Sequence, residues 1–310
     1  MYKDSFATGE LTADPGVTLQ AADGIRNSRK AALFSALVSL ALLVAVAVQF
    51  DGMDFTHIVA MIPASPLFWA VFAAWYLAGP VSEWIIYRRL WHIPVSGIGA
   101  LMRKMVSNEL LLGYLGEAQF YAWVRGRRQL SAAPFGAIKD VTILSALTGN
   151  VTTMVMLAVA WPLVFSGKIG LGMQSTFVSL GVVLLSSFVI LLFRQKLFSL
   201  PGNELRFIAA LHLARIFAKV GLGALLWYLV LPDVPVDMWL VLSTLRMLVS
   251  RLPLVPNKDV VFAGIAVVLL GHHVSVAALL AMMGGLVLVF HLVVGAGFGV
   301  ADLVESSRQR

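Results

Sequence analysis

The stretch that most constrains this chain is residues 238–271, MWLVLSTLRMLVSRLPLVPNKDVVFAGIAVVLLG. Two apolar runs flank a polar centre that starts at Arg251, contains Pro253 and Pro256, and ends at Asn257, Lys258 and Asp259. Neither run can cross a bilayer alone, since about 20 apolar residues are needed at a rise of ~1.5 Å over a ~30 Å hydrocarbon core. Each proline lacks a backbone donor and clashes with the preceding turn, so the helix breaks there. The segment therefore predicts a helical hairpin that enters the membrane, turns at a charged tip and returns to the same side. Irregular backbone at that depth is tolerated only where it is buried in protein or faces a wet cavity. The hairpin thus demands a cavity that the rest of the chain must build.

Composition agrees. Of 310 residues, 59% are hydrophobic and 13% charged, with mean hydropathy +0.88. A soluble domain carries roughly twice that charge fraction. The expected fold class is an all-α polytopic membrane protein, too short for a sizeable soluble domain as well. The net charge of +7 reads as positive-inside excess and attraction to anionic lipid, not as a nucleic-acid surface. With no cysteine, disulfides, iron–sulfur clusters and thiolate zinc sites are excluded. Residues 1–30 lack a signal peptide's apolar core and are expected to form a flexible cytoplasmic tail.

Residues 31–50 form an uninterrupted apolar run after Arg26, Arg29 and Lys30, which predicts a first span with its N-terminal end in the cytoplasm. Residues 66–86 predict a second, kinked at Pro80 and returning inside at Arg88 and Arg89. Residues 95–124 carry Arg103, Lys104, Glu109 and Glu117 and have basic flanks on both sides. A plain span is excluded, because each charge costs roughly 2.5–3.5 kcal/mol at mid-membrane. Two readings fit: a re-entrant hairpin with its tip at residues 108–116, or an amphipathic helix on the inner surface. Residues 141–165, 171–193 and 207–231 predict further spans, the last carrying Arg215 and Lys219, and residues 276–300 the final one. Residues 301–310 form an inner tail. The count is about six full spans and two re-entrant hairpins. Each half (31–165 and 171–300) reads span, span, broken segment, span, starting from opposite sides. That is an inverted-topology repeat, whose broken helices meet near the midplane where substrate binds.

Charges at membrane depth mark functional candidates because they are costly to keep there. Arg246, Arg251, Lys258 and Asp259, with Asn257 at the tip, suit a phosphate or other anionic headgroup; as plain structure, Lys258 and Asp259 would cap helix ends and Arg251 would snorkel. Glu109 and Glu117, near Asn108, either face the cavity or pair with Arg103 or Arg125 at a surface. Arg103 and Lys104 read as inner-leaflet phosphate contacts or a solvated face. Arg215 and Lys219 share a helix face, as snorkelling cations or as anion ligands. His272 and His273 have no metal-ligand pattern, and His212 and His291 read as packed residues. Thr148, Asn150, Thr152 and Thr153 suggest hydrogen bonds between helices. No P-loop, nucleophile elbow or zinc-deaminase pattern is present, so neither an enzymatic centre nor a cofactor or metal is expected.

Ser107-Asn108, followed by Leu112-Gly113-Tyr114-Leu115-Gly116-Glu117, resembles the Asn, apolar run and Gly-Glu of the lysylphosphatidylglycerol synthase/flippase family of integral membrane domains. Arg251, Pro253, Pro256 and Asp259, then Gly271, Ala277 and Ala278, are similar to its proline-centred hairpin and small-residue helix. Where that family commonly has Pro-Gly-Gly-x-Gly, Pro256 is followed here by Asn257-Lys258-Asp259. The resemblance spans roughly residues 66–297 and implies the translocating part without the synthesising part. The expectation is a flippase-like transporter in a bacterial-type inner membrane with both termini cytoplasmic. It would move an anionic, aminoacylated or polyprenyl-phosphate lipid headgroup, with membrane lipids, a second copy or a partner enzyme as partners. The alternatives are a non-transporting lipid-binding partner of an envelope or glycolipid enzyme, and an intramembrane lipid-modifying enzyme.

Overall fold

The computed structural model describes residues 60–110, 115–126, 134–165, 198–250, 258–259, 262–263, 266 and 274–308. Among them the chain is helical, without strands. The elements are α1 (Pro66–Trp91), α2 (Gly97–Leu110), α3 (Leu115–Arg125), α4 (Pro134–Phe165), α5 (Gly202–Val230), α6 (Val236–Ser250) and α7 (Val274–Arg308), with further helical residues at 258–259, 262–263 and 266. Among the described residues, three helices are long and apolar enough to cross a membrane: Phe135–Val159, Gly202–Val230 and Ser275–Ala301. The protein is an all-helical membrane protein. The N-terminal tail, the spans at 31–50 and 171–193, the tip residues Arg251 and Asn257, and His272 and His273 lie outside the described residues.

Several boundaries differ from expectation. The second span is a helix, but its tryptophans, tyrosines, Glu83 and arginines leave it less apolar than the other three. The third starts at Pro134, so Lys139 and Asp140 lie inside it. The last helix runs on through Arg308, making the expected tail a continuation of α7 through that residue. The described residues within 95–124 form two short helices, α2 and α3. Ser107 bonds Gln119, and Asn108 bonds Gly116 and Glu117, so sequence positions descend on α2 as they rise on α3. That pairing makes an antiparallel hairpin. Gly116 permits the approach: a Cβ there would fall on the Lys104 carbonyl.

Two apolar cores hold the helices. One gathers Phe68, Phe72, Trp75 and Tyr76 of α1, Leu226 and Trp227 of α5, Trp239 and Leu242 of α6, Phe262, and Leu279 and Leu280 of α7. The other gathers Ile86 and Tyr87 at the far end of α1, Leu101, Phe120, Val141 and Ile208. Between Tyr76 and Ile86 on α1 the inward residues include Ser82 and Glu83, and between Ile208 and Leu226 on α5 they include His212, Arg215 and Lys219. The charged layer is thus sandwiched between two cores. Asp140 fastens the second core's outer end. It is fully buried, and its Oδ2 accepts the backbone N–H groups of Ser199 at 2.6 Å and Leu200 at 2.7 Å. Nearby, Arg89 and Glu204 form a two-bond ion pair between α1 and α5.

The halves repeat. Adding 142 positions to α2 and α4 gives 239–252 and 276–307, within three residues of α6 and α7 at every boundary. Contacts repeat too. The α1–α2 packing has its counterpart in α5–α6, and α6–α4 in α2–α7. The counterpart of the α4–α5 packing is slighter: α7 meets α1 through Phe290, which lies against Trp69 and Phe72. Each hairpin therefore leans on the last helix of the other half. That exchange brings both hairpins to one place.

Candidate functional site

A cavity of about 350 Å³ lies between the cores, walled by α1, both hairpins, α4 and α5. That is the size of a small ligand pocket. On α1, Gly79 and Pro80 form part of the wall. Glycine contributes no side chain, and proline leaves the backbone acceptor one turn earlier without its helical donor. One turn further on, Glu83 meets Lys104 Nζ at 2.8 Å and Arg215 Nη1 at 3.8 Å. Arg215 also donates to Ser145 Oγ at 2.8 Å. One carboxylate on α1 thus holds a cation from the first hairpin and one from α5.

Both hairpins are stapled alike. In the first, Lys104 on α2 pairs with Glu117 on α3 at 3.4 Å, and Asn108 donates to Glu117 at 3.0 Å. In the second, Arg246 on α6 pairs with Asp259 at 2.6 Å, while Lys258 donates to the Ser250 carbonyl at 3.0 Å. Lys104, Met105, Asn108 and Glu117 correspond to Arg246, Met247, Ser250 and Asp259 at the same 142-position offset, and all eight line the cavity. Chemistry repeats where identity does not: cation, methionine, polar residue, carboxylate.

Arg246, Lys258, Asp259, Arg215, Lys219, Asn108, Glu109 and Glu117 all line this one cavity. Arg215 and Lys219 do not snorkel. Arg215 lies about 13 residues, or ~20 Å, inside α5, bound to Glu83 and Ser145. Lys219 Nζ sits 4.5 Å from the centre of the Trp75 ring, and the Arg246 guanidinium sits 4.8 Å from the same ring. Lys104 is only 5% exposed, so it is no surface contact for lipid phosphates. Arg103 lies over Phe298 instead. Glu117 pairs with Lys104, not with Arg103 or Arg125. Thr148, Thr152 and Thr153 donate to carbonyls of their own helix rather than across helices. His212 is buried against the Val141 carbonyl, a packed residue as expected.

Glu83 was not legible as a site residue, because it sits near the charged end of an otherwise ordinary helix. A search for the residue pattern of the first hairpin at a fixed offset would have exposed the repeat, but not Glu83, which has leucine at the matching position 225. Among the described residues no cluster of His, Asp and Glu is arranged to hold a metal ion. Comparison with known proteins finds no matching family model, no similar curated protein and no similar solved structure.

Proposed function

We propose that this protein is a flippase-like lipid transporter that passes a phosphate-bearing headgroup through the charged cavity while the acyl chains stay in the bilayer. The observation that carries this reading is the cavity itself: oppositely charged side chains from two chemically equivalent hairpins converge in one space between two apolar cores. Charges at membrane depth are retained where they serve a path or a ligand. Lys219, Arg246 and Lys258 offer cationic donors to a phosphate, with Arg251 and Asn257 adjoining in sequence.

In this reading the chain has about six full spans and two re-entrant hairpins. The halves are related by an inverted repeat, both termini are cytoplasmic, and the membrane is of the bacterial inner type. The exchange of contacts between halves supports a pseudo-two-fold relation, and rocking of one half against the other would open the cavity to each leaflet in turn. The resemblance of the two broken segments to the lysylphosphatidylglycerol synthase/flippase family points the same way. The test is reconstitution into liposomes with fluorescent lipids. Accelerated transbilayer movement of an anionic, aminoacylated or polyprenyl-phosphate lipid is expected; no acceleration for any of them would end the proposal.

A further inference from the structure

The cavity's charged side chains are not equally committed. Glu83, Lys104, Glu117 and Arg215 hold one another, and Arg246 holds Asp259. Lys258 donates to the end of α6. Two groups stand apart. Among the described residues, no hydrogen bond or ion pair reaches Glu109, and Lys219 meets only the face of Trp75. A π face leaves an ammonium's N–H donors available for an acceptor. Glu109 and Lys219 line the same cavity, yet no ion pair within 4.0 Å joins them. Tyr76 and His291 are the other titratable groups within Glu109's field. The His291 Nδ1 lies 2.8 Å from the Val287 carbonyl of its own helix, and the Tyr76 hydroxyl has no partner among the described residues.

We infer that Glu109 is the specificity determinant of this cavity, selecting headgroups that carry an N–H or O–H donor a short distance from a phosphate seated on Lys219. This rests on the headgroup-binding reading above and adds a selection rule to it. The chemistry is that of a phosphodiester with a donor-bearing end, whether on a lipid or free in solution. Lys219 supplies a charge-assisted donor to the phosphate, and Arg246, stacked on the same indole, adds to the field. Glu109 accepts from the far end. A quaternary ammonium carries the same phosphate but no donor, so it leaves the Glu109 carboxylate without a hydrogen bond. A site built to bond a polar group discriminates strongly against an analogue lacking it. Glu117, by contrast, is already engaged on both oxygens, by Lys104 and Asn108.

The experiment measures binding of short-chain phosphatidylethanolamine, phosphatidylglycerol and phosphatidylcholine to the detergent-solubilised protein, by calorimetry. Ethanolamine and glycerol headgroups should bind about tenfold more tightly than choline, the affinity difference of one good hydrogen bond. Glu109→Ala should collapse that difference, bringing the three headgroups to within about twofold of one another. Glu109→Gln keeps an acceptor oxygen without charge and should retain the preference for glycerol but lose that for ethanolamine. Lys219→Ala should weaken all three by about tenfold or more. Equal affinities for the three headgroups, or discrimination that survives Glu109→Ala, overturns the inference. Glycerophosphoethanolamine and glycerophosphocholine, which lack acyl chains, separate the two claims. If they show the same discrimination while no lipid moves in liposomes, the selection rule stands and lipid transport fails. If lipids move regardless of headgroup, transport stands and the rule fails.

Discussion

Glu83 is the residue on which the charged layer turns. It pairs with both Lys104 and Arg215, and Lys104 is almost completely enclosed. Removing one partner of a buried pair leaves an uncompensated charge, at a cost of about 3–5 kcal/mol. Glu83→Gln should therefore lower the thermal midpoint of the purified protein substantially. Glu109→Gln, which breaks no described bond, should stay within about 0.5 kcal/mol of the parent. Equal losses in the two variants would mean that the pairing around Glu83 does not hold the layer. Asp140 gives a second residue-scale case. Its Oδ2 is the acceptor for two backbone N–H groups at the start of the connection into α5. Asp140→Ala strands those donors, each costing about 1–3 kcal/mol when buried. The expected result is a lower midpoint together with faster amide exchange at residues 199 and 200. Most cavity charges were legible in the sequence, since a lysine or arginine deep in an apolar helix has few structural excuses. What periodicity did not reveal was their partners. Whether Arg215 snorkels or turns inward depends on Glu83, which lies on another helix and whose position is fixed by packing.

Among the elements, the hairpin of α2 and α3 is the most tightly specified. Gly116 puts its backbone N–H 2.7 Å from Asn108 Oδ1, and the space a side chain would need is occupied by the Lys104 carbonyl. Backbone cannot yield as a flexible side-chain tip can. Gly116→Ala should push the two limbs apart, breaking the Asn108 bond and loosening the Lys104–Glu117 staple. Gly99→Ala on the same α2 helix meets open space. Helix propensity alone favours that change by roughly 0.5–1 kcal/mol. Opposite signs for the two glycines in thermal unfolding are the expected outcome. The existence of a broken segment here was readable from its charges and basic flanks. Its choice between hairpin and surface helix was not, because both readings share the same hydrophobic pattern. A glycine at the crossing point and an amide four residues past Lys104 pair α2 with α3 through contacts that no periodicity reports.

For the whole molecule, the decisive feature is that each half's hairpin packs on the closing helix of the other half. The repeat escaped residue-level reading because lysine stands for arginine, asparagine for serine, and glutamate for aspartate. The constraint falls on charge and reach rather than on identity. The repeat makes a prediction that neither half makes alone. Gly295 of α7 lies against Val106 of α2, with a Cβ there 3.2 Å from the valine Cγ1. Replacing both by cysteine puts two thiols at this close contact, where a disulfide can be tested, and the chain has no cysteine of its own to interfere. The 142-position offset maps this pair onto Thr153 of α4 and Leu248 of α6, two helices that also pack together. Both Val106→Cys/Gly295→Cys and Leu248→Cys/Thr153→Cys should cross-link on mild oxidation, whereas pairing Val106→Cys with Thr153→Cys should not. If the halves rock against each other to pass a headgroup, either cross-link should arrest lipid movement in liposomes, and reduction should restore it. Cross-linking of the first pair without the second would break the equivalence of the halves. Cross-linking of both with movement undiminished would leave the fold's symmetry intact but remove rocking as the way the cavity opens.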